Sequence, residues 1–156
     1  MKKAILTSLV AIVTLFTINA QDSTNTKKFE VKVITSVESI VPSGLGRSRI
    51  ISANVDRDYK KFTSNQSEDD NTRNKSKRKD IRVKDFEETK LLNFYNIGGI
   101  RFQNIAANDA VLSSKLTTML SEGWDLAFVT SAVESDSGDQ DGQGIFITRY
   151  IFKRAL

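Results

Sequence analysis

Asn108-Asp-Ala-Val-Leu112-Ser-Ser-Lys-Leu116-Thr-Thr-Met119-Leu120-Ser-Glu-Gly123-Trp124-Asp-Leu126-Ala-Phe128 joins a helical pattern to an extended one. Leu112, Leu116, Met119 and Leu120 recur at i, i+4, i+7 and i+8, which is one apolar stripe on a helix. Asn108 is a residue type that opens helices, and Asp109 sets a negative charge against the positive end of the helix dipole. Gly123 takes the backbone conformation that stops a helix. The spacing predicts a helix over 108–122. Trp124 to Val133 then alternates as a strand, with Trp124, Leu126 and Phe128 on one face and Ala127 and Val129 on the other.

C-terminal to this unit, residues 134–144 make an acidic, glycine-bearing loop, and Ile145 to Lys153 is a last strand. Phe146, Thr148, Tyr150 and Phe152 form one of its faces, and Ile145, Ile147, Arg149 and Ile151 the other. Both faces are largely apolar. One packs on the helix; the other needs a second cover, either the N-terminal strands or another protomer. On the N-terminal side, Phe29 to Ile40 alternates with a period of two, Phe29, Val31, Val33, Thr35 and Val37 falling on one face. Pro42, Gly44 and Gly46 punctuate it, and Arg47 to Val55 resumes an extended pattern. Residues 60–80 form a polar, charged insertion. From Lys61 to Asp80 the only large apolar side chain is Phe62, too little to offset the entropy of ordering the segment. Residues 81–104 carry two patterns. Asp85 with Glu88 suits a capping box, whereas Gly98-Gly99 between apolar runs suits a hairpin, and strands are the preferred reading. The expected fold is α+β, one main helix packed on an antiparallel sheet of four to six strands, within a single domain over 29–156.

Met1-Lys2-Lys3 precedes an uncharged, mainly apolar run from Ala4 to Ile18, then Asn19-Ala20. This is the layout of a secretory signal peptide cleaved after Ala20, followed by a disordered polar leader over 21–28. The apolar run of 15 residues is short for a bilayer crossing, which takes about 20. The expected destination is the periplasm, the cell surface or the medium. The whole chain carries 23 Lys+Arg and 19 Asp+Glu; without Lys2 and Lys3 the basic count is 21 and the net charge +2. So small an excess gives no reason to expect nucleic acid as a partner. The chain has no Cys and no His. That composition excludes disulfides, Cys/His zinc sites, Cys proteases and Ser-His-Asp triads.

The Gly123-Trp124-Asp125-Leu126 run, together with Tyr150-Ile151-Phe152-Lys153-Arg154, resembles a family of small bacterial domains of unknown function. That family ends in a Gly-Trp-Glu-Leu strand and a Tyr-x-Phe-Lys-Arg strand, and Asp125 stands at the position of its Glu. The resemblance covers about the last 50 residues and the Phe29–Ile34 strand. It implies a compact module of one helix and an antiparallel sheet, and no activity. Gly44-Leu-Gly-Arg-Ser-Arg49 and Asn93-Phe-Tyr-Asn96 are similar to segments of exported, uncharacterised bacterial proteins.

Three groups of residues are candidate sites. Gly44 and Gly46 allow close backbone approach to an anion, and Arg47 and Arg49 supply guanidinium forks for an anionic envelope partner or a protein. The bland reading of that segment is a turn followed by solvated arginines. Asp136, Asp139 and Asp141 alternate before Gly142 as carboxylates do in a calcium loop. Aligned on that pattern, however, Ser137 takes the first ligand position and Thr148 the twelfth, so the bidentate Glu is missing. No cofactor is expected otherwise. Ile145, Ile147 and Ile151 are candidates for an interface in a homo-oligomer. The basic stretch 73–84 holds seven basic residues and one acid but has no interleaved aromatics, and reads as a solvated loop. Glu87 and Glu88 are a carboxylate pair in sequence only. The preferred function is a non-catalytic exported binding or assembly module of the cell envelope. The alternatives are a small carboxylate-based hydrolase or cation-dependent site, and a purely structural homo-oligomer.

Overall fold

The computed structural model describes residues 28–39, 48–96, 98–133 and 144–156. The expected signal peptide, most of the leader, Gly44, Gly46, Arg47, Asp136, Asp139 and Asp141 lie outside the described residues. Seven strands are described: β1 (Phe29–Ser39), β2 (Arg49–Ala53), β3 (Phe86–Lys90), β4 (Tyr95–Asn96), β5 (Gly99–Ile100), β6 (Asp125–Val133) and β7 (Ile145–Ala155). The helices are α1 (Arg78–Ile81), a single turn, and α2 (Phe102–Ser121). Five strands form one sheet in the order β3-β2-β1-β7-β6, and β4 with β5 forms a small hairpin. The protein is α+β, with one main helix on a five-stranded antiparallel sheet. Glu30–Arg154 form one compact unit. Lys28, Phe29, Ala155 and Leu156 belong to a second, in which the Leu156 N–H donates to the Lys28 carbonyl at 3.0 Å.

Strand alternation decides which residues meet the helix. Ile34 lies opposite Ser52, Ser36 opposite Ile50, and Ile50 opposite Thr89. These positions share the face beneath α2. The core is Ile34, Ile50, Leu91, Met119, Trp124 and Phe152, with Leu112, Leu116 and Tyr150 packed against it. Leu112, Leu116 and Met119 are the helix stripe anticipated from spacing. Leu120, the fourth residue of that stripe, is more than half exposed and lies on its margin.

The helix begins at Phe102, six residues before the expected start, and Asn108 is an interior residue rather than its N-cap. Asn108 is only 3 % exposed. Its Oδ1 accepts from the Leu92 N–H at 2.8 Å, and its Nδ2 donates to the Leu92 carbonyl at 2.8 Å and to Glu38 Oε1 at 3.0 Å. One side-chain amide thus pairs both backbone groups of a loop residue that has no strand beside it, which is why a polar side chain is kept under the helix. Asn104 extends the clamp by donating to the Asn93 carbonyl at 2.7 Å, and Ser48 Oγ donates to Asn93 Oδ1 at 2.7 Å.

The helix terminus follows expectation. Gly123 has φ +82°, the Trp124 N–H donates to the Met119 carbonyl at 3.1 Å, and the Gly123 N–H donates to that of Leu120 at 3.1 Å. This is a Schellman closure, and the apolar contact that accompanies such closures is the burial of Trp124 beside Met119. The chain then enters β6, which carries a bulge between Leu126 and Phe128. Leu126 lies opposite Phe152 but Phe128 lies opposite Ile151, so these two residues occupy different faces. Plain alternation, which put Leu126 and Phe128 together, fails by the one extra residue, Ala127.

Residues 81–104 hold β3 and the β4–β5 hairpin, with Asn96 opposite Gly99 at φ +92°. Asp85 caps nothing; its Oδ1 accepts from Asn54 Nδ2 at 3.0 Å. Between β2 and β3 the described chain holds a 3-10 turn (Tyr59–Phe62) and α1, and is mostly exposed. No helix among the described residues is long and apolar enough to cross a membrane.

Candidate functional site

The sheet has two faces and α2 covers one. Because Ile34 and Phe152 point under the helix, Val31, Val33, Thr35 and Val37 of β1 and Ile147 and Ile151 of β7 point away from it. Register carries the same face across the sheet. Ile51 of β2 lies beside Thr35, Phe86 of β3 lies opposite Ala53, and Phe128 of β6 lies opposite Ile151. Val31 is 62 %, Val33 42 %, Phe86 46 % and Phe128 61 % exposed. A depression of about 400 Å³ opens on this face, lined by Val33, Thr35, Ile51, Ala53, Val83 and Phe86. Apolar side chains gathered on one side of a sheet are a contact surface by physical character, since water gains freedom when they are covered.

The three isoleucines singled out from the sequence lie on this face by alternation. Ile145, Ile147 and Ile151 are half-buried within the sheet rather than fully exposed. Phe128, placed by spacing on one face with Trp124 and Leu126, is turned by the bulge to the opposite face, where it is exposed. Trp124 and Phe152 are core, and Tyr150 packs against them.

Arg49 is the one member of the anion-site group among the described residues. Its Nη1 donates to Glu88 Oε2 at 2.7 Å, both side chains rising from the uncovered face at the β2–β3 side. Glu87 points the other way and binds Lys115 Nζ at 2.9 Å. Glu87 and Glu88 therefore diverge across the sheet, each held by its own cation, and do not converge on a shared proton. The third ion pair, Arg154 to Glu30 at 2.8 Å, sets the guanidinium 4.4 Å over the Trp124 ring. Arg154 thereby roofs the indole and continues the core outward.

Burial pushes the Tyr150 hydroxyl above its ordinary value; the Ser36 hydrogen bond opposes that shift, and the Glu38 and Asp109 carboxylates add to it. Tyr150 thus stays a neutral hydroxyl near the Asn108 clamp. Asp70, fully exposed in the insertion, is lowered by its hydrogen bonds with Thr72, whose N–H donates to Asp70 Oδ1 at 2.9 Å. Among the described residues there is no group of three or more carboxylates arranged to hold a metal ion. Ser52 Oγ, buried beside Ile34, has no hydrogen-bond partner among the described residues.

No known family model matches the chain, and no curated protein matches it.

Proposed function

We propose that the chain is a non-catalytic binding or assembly module, exported by a signal peptide over residues 1–20, that works in the cell envelope or outside the cell. The observation that carries this reading is the apolar sheet face turned away from α2, with Val31, Val33, Phe86 and Phe128 open to water. A fold that covers one side of its sheet with a helix and leaves the other apolar has a surface whose covering is favourable. At about 25 cal/mol per Å² of apolar area, a few hundred Å² supply several kcal/mol toward association. The resemblance of the β6 and β7 termini to small bacterial domains without known activity agrees with a binding role. So does the lack of imidazole and thiol chemistry. The partner this face fits is a protein with a matching apolar patch, the Arg49–Glu88 pair lying at the polar side of the contact.

The test is cross-linking in the native envelope, comparing the wild-type chain with a Val33→Glu/Phe128→Glu double variant. Both substituted positions are already exposed, so the variant keeps its circular dichroism spectrum and melting temperature. The wild type is expected to capture one discrete partner that the variant loses. Equal capture by both chains refutes the assignment of the contact to this face. Correct folding with an uncleaved Met1 terminus in the cytosol refutes export.

A further inference from the structure

The two edges of the sheet differ, and the difference points to a second site. Edge strands present unpaired N–H and C=O groups, and proteins guard them with short length, charge or proline. Edge strand β3 is guarded. It has five residues, three of which are Glu87, Glu88 and Lys90. Edge strand β6 is not. It has nine residues, every one exposed, and from Leu126 to Val133 it carries no charge and no proline. Its side chains are open on both faces: Phe128 away from the helix, and Val129 and Val133 on the helix side, where α2 does not reach across them. After the bulge, Phe128–Val133 is a regular ladder partner of Ile151–Phe146, so its outer edge is straight.

We propose that β6 pairs with β6 of a second copy, antiparallel about a two-fold axis normal to the sheet, and so makes one continuous ten-stranded sheet. A second copy is self-complementary to this edge. An antiparallel pair about such an axis sets each residue opposite one on the same face, so both helices lie on one side and the two apolar faces merge on the other. The sequence permits it, because no like charges meet anywhere between Leu126 and Val133. Centred on Thr130, the pairing sets Phe128 opposite Ala132 on one face and Val129 opposite Ser131 on the other. A contact confined to one strand edge is small, so the dimer is a reversible, concentration-dependent one. The edge adjoins the face assigned above to a different partner and shares Phe128 with it, but its test reads self-association at Thr130 and does not depend on that assignment.

The chain has no cysteine, so one introduced thiol reports without background. Thr130→Cys is expected to give a covalent dimer on mild oxidation, and Lys90→Cys on the guarded edge to give none. By sedimentation, the wild-type protein is expected to show a concentration-dependent monomer–dimer equilibrium. Thr130→Lys and Thr130→Glu are each expected to weaken it at least about tenfold, and mixing the two to restore it. Ala132→Lys repeats the test should the Thr130 variants unfold. The proposal fails if the wild type is monomeric up to about millimolar concentration. It also fails if the lysine variants leave the equilibrium unchanged, or if a Val33→Cys variant cross-links faster than Thr130→Cys, the sign of face-to-face stacking.

Discussion

Replacing Asn108 by alanine removes a side chain that is 3 % exposed and makes three hydrogen bonds of 2.8–3.0 Å. Each effect has a separate size. The Leu92 N–H and carbonyl lose their partners. Since the Leu92 side chain is itself exposed, water reaches these groups in part, and each costs about 1 kcal/mol, the lower end for an unsatisfied buried group. The contact to Glu38 has a charged acceptor and adds about 1.5 kcal/mol. Alanine is the better helix former and returns about 0.6 kcal/mol. The net loss is about 3 kcal/mol. In urea denaturation followed by circular dichroism, with a slope of about 1.5 kcal/mol per molar, that moves the midpoint down by about 2 M. Asn108→Asp is the sharper probe. It keeps an acceptor for the Leu92 N–H but loses both donations, and it sets a carboxylate beside Glu38 and the Leu92 carbonyl. At neutral pH it is expected to destabilise more than alanine. Its folded-state pKa then lies above the unfolded value, so the folded form takes up the proton first and the deficit shrinks as pH falls through that window. If Asn108→Ala loses less than about 0.5 kcal/mol, the clamp is not desolvated and the reason given for a polar side chain under the helix is wrong.

Three further outcomes follow from single contacts. Ser52→Ala removes a buried hydroxyl that has no partner among the described residues and is expected to leave stability unchanged or raise it by up to about 1 kcal/mol in the same urea assay. A loss of more than about 1 kcal/mol shows instead that the hydroxyl is bonded. Gly123→Ala meets nothing closer than Arg154 Cδ at 4.0 Å, yet must hold φ near +82°. It is expected to cost about 1 kcal/mol from backbone strain alone, read as a lower melting temperature. Tyr150 has a raised folded-state pKa, so the unfolded chain ionises first. The stability this lends is complete below about pH 10 and is lost as pH rises through the folded value. Tyr150→Phe is expected to show a shallower alkaline decline in urea midpoint, and an unchanged slope refutes the burial argument.

The legible parts of this chain were those where period alone decides. Phe29–Ser39 and Ile145–Ala155 alternate cleanly, and Leu112, Leu116 and Met119 mark one side of a helix whose glycine stop is a local property. The α+β class followed from these. Two features were hidden for definite reasons. Asn108 has the chemistry of a cap, and only the fold reveals that it bonds a loop residue 16 positions away. The cue present in the sequence was the i, i+4 repeat of Asn104 and Asn108, which sets two amides on one side of the helix toward the same loop. The bulge in β6 is one residue among small apolar ones, with no glycine to announce it, so the exposure of Phe128 was not readable. The apolar excess of β7 did signal that its sheet has a second side in want of cover. Arg49 looked available as an anion ligand because its partner Glu88 stands 39 positions away.

The extra residue Ala127 is a spare in the register of β6. Excising it would leave Leu126 opposite Phe152 and Phe128 opposite Ile151 and only make the ladder regular. Excising Val129 instead, where no spare residue exists, would swing Thr130 and Ala132 beneath α2 and turn Ser131 and Val133 outward. A one-codon deletion is therefore absorbed at Ala127, yet two residues further on it inverts the rim of the sheet with no substitution at all.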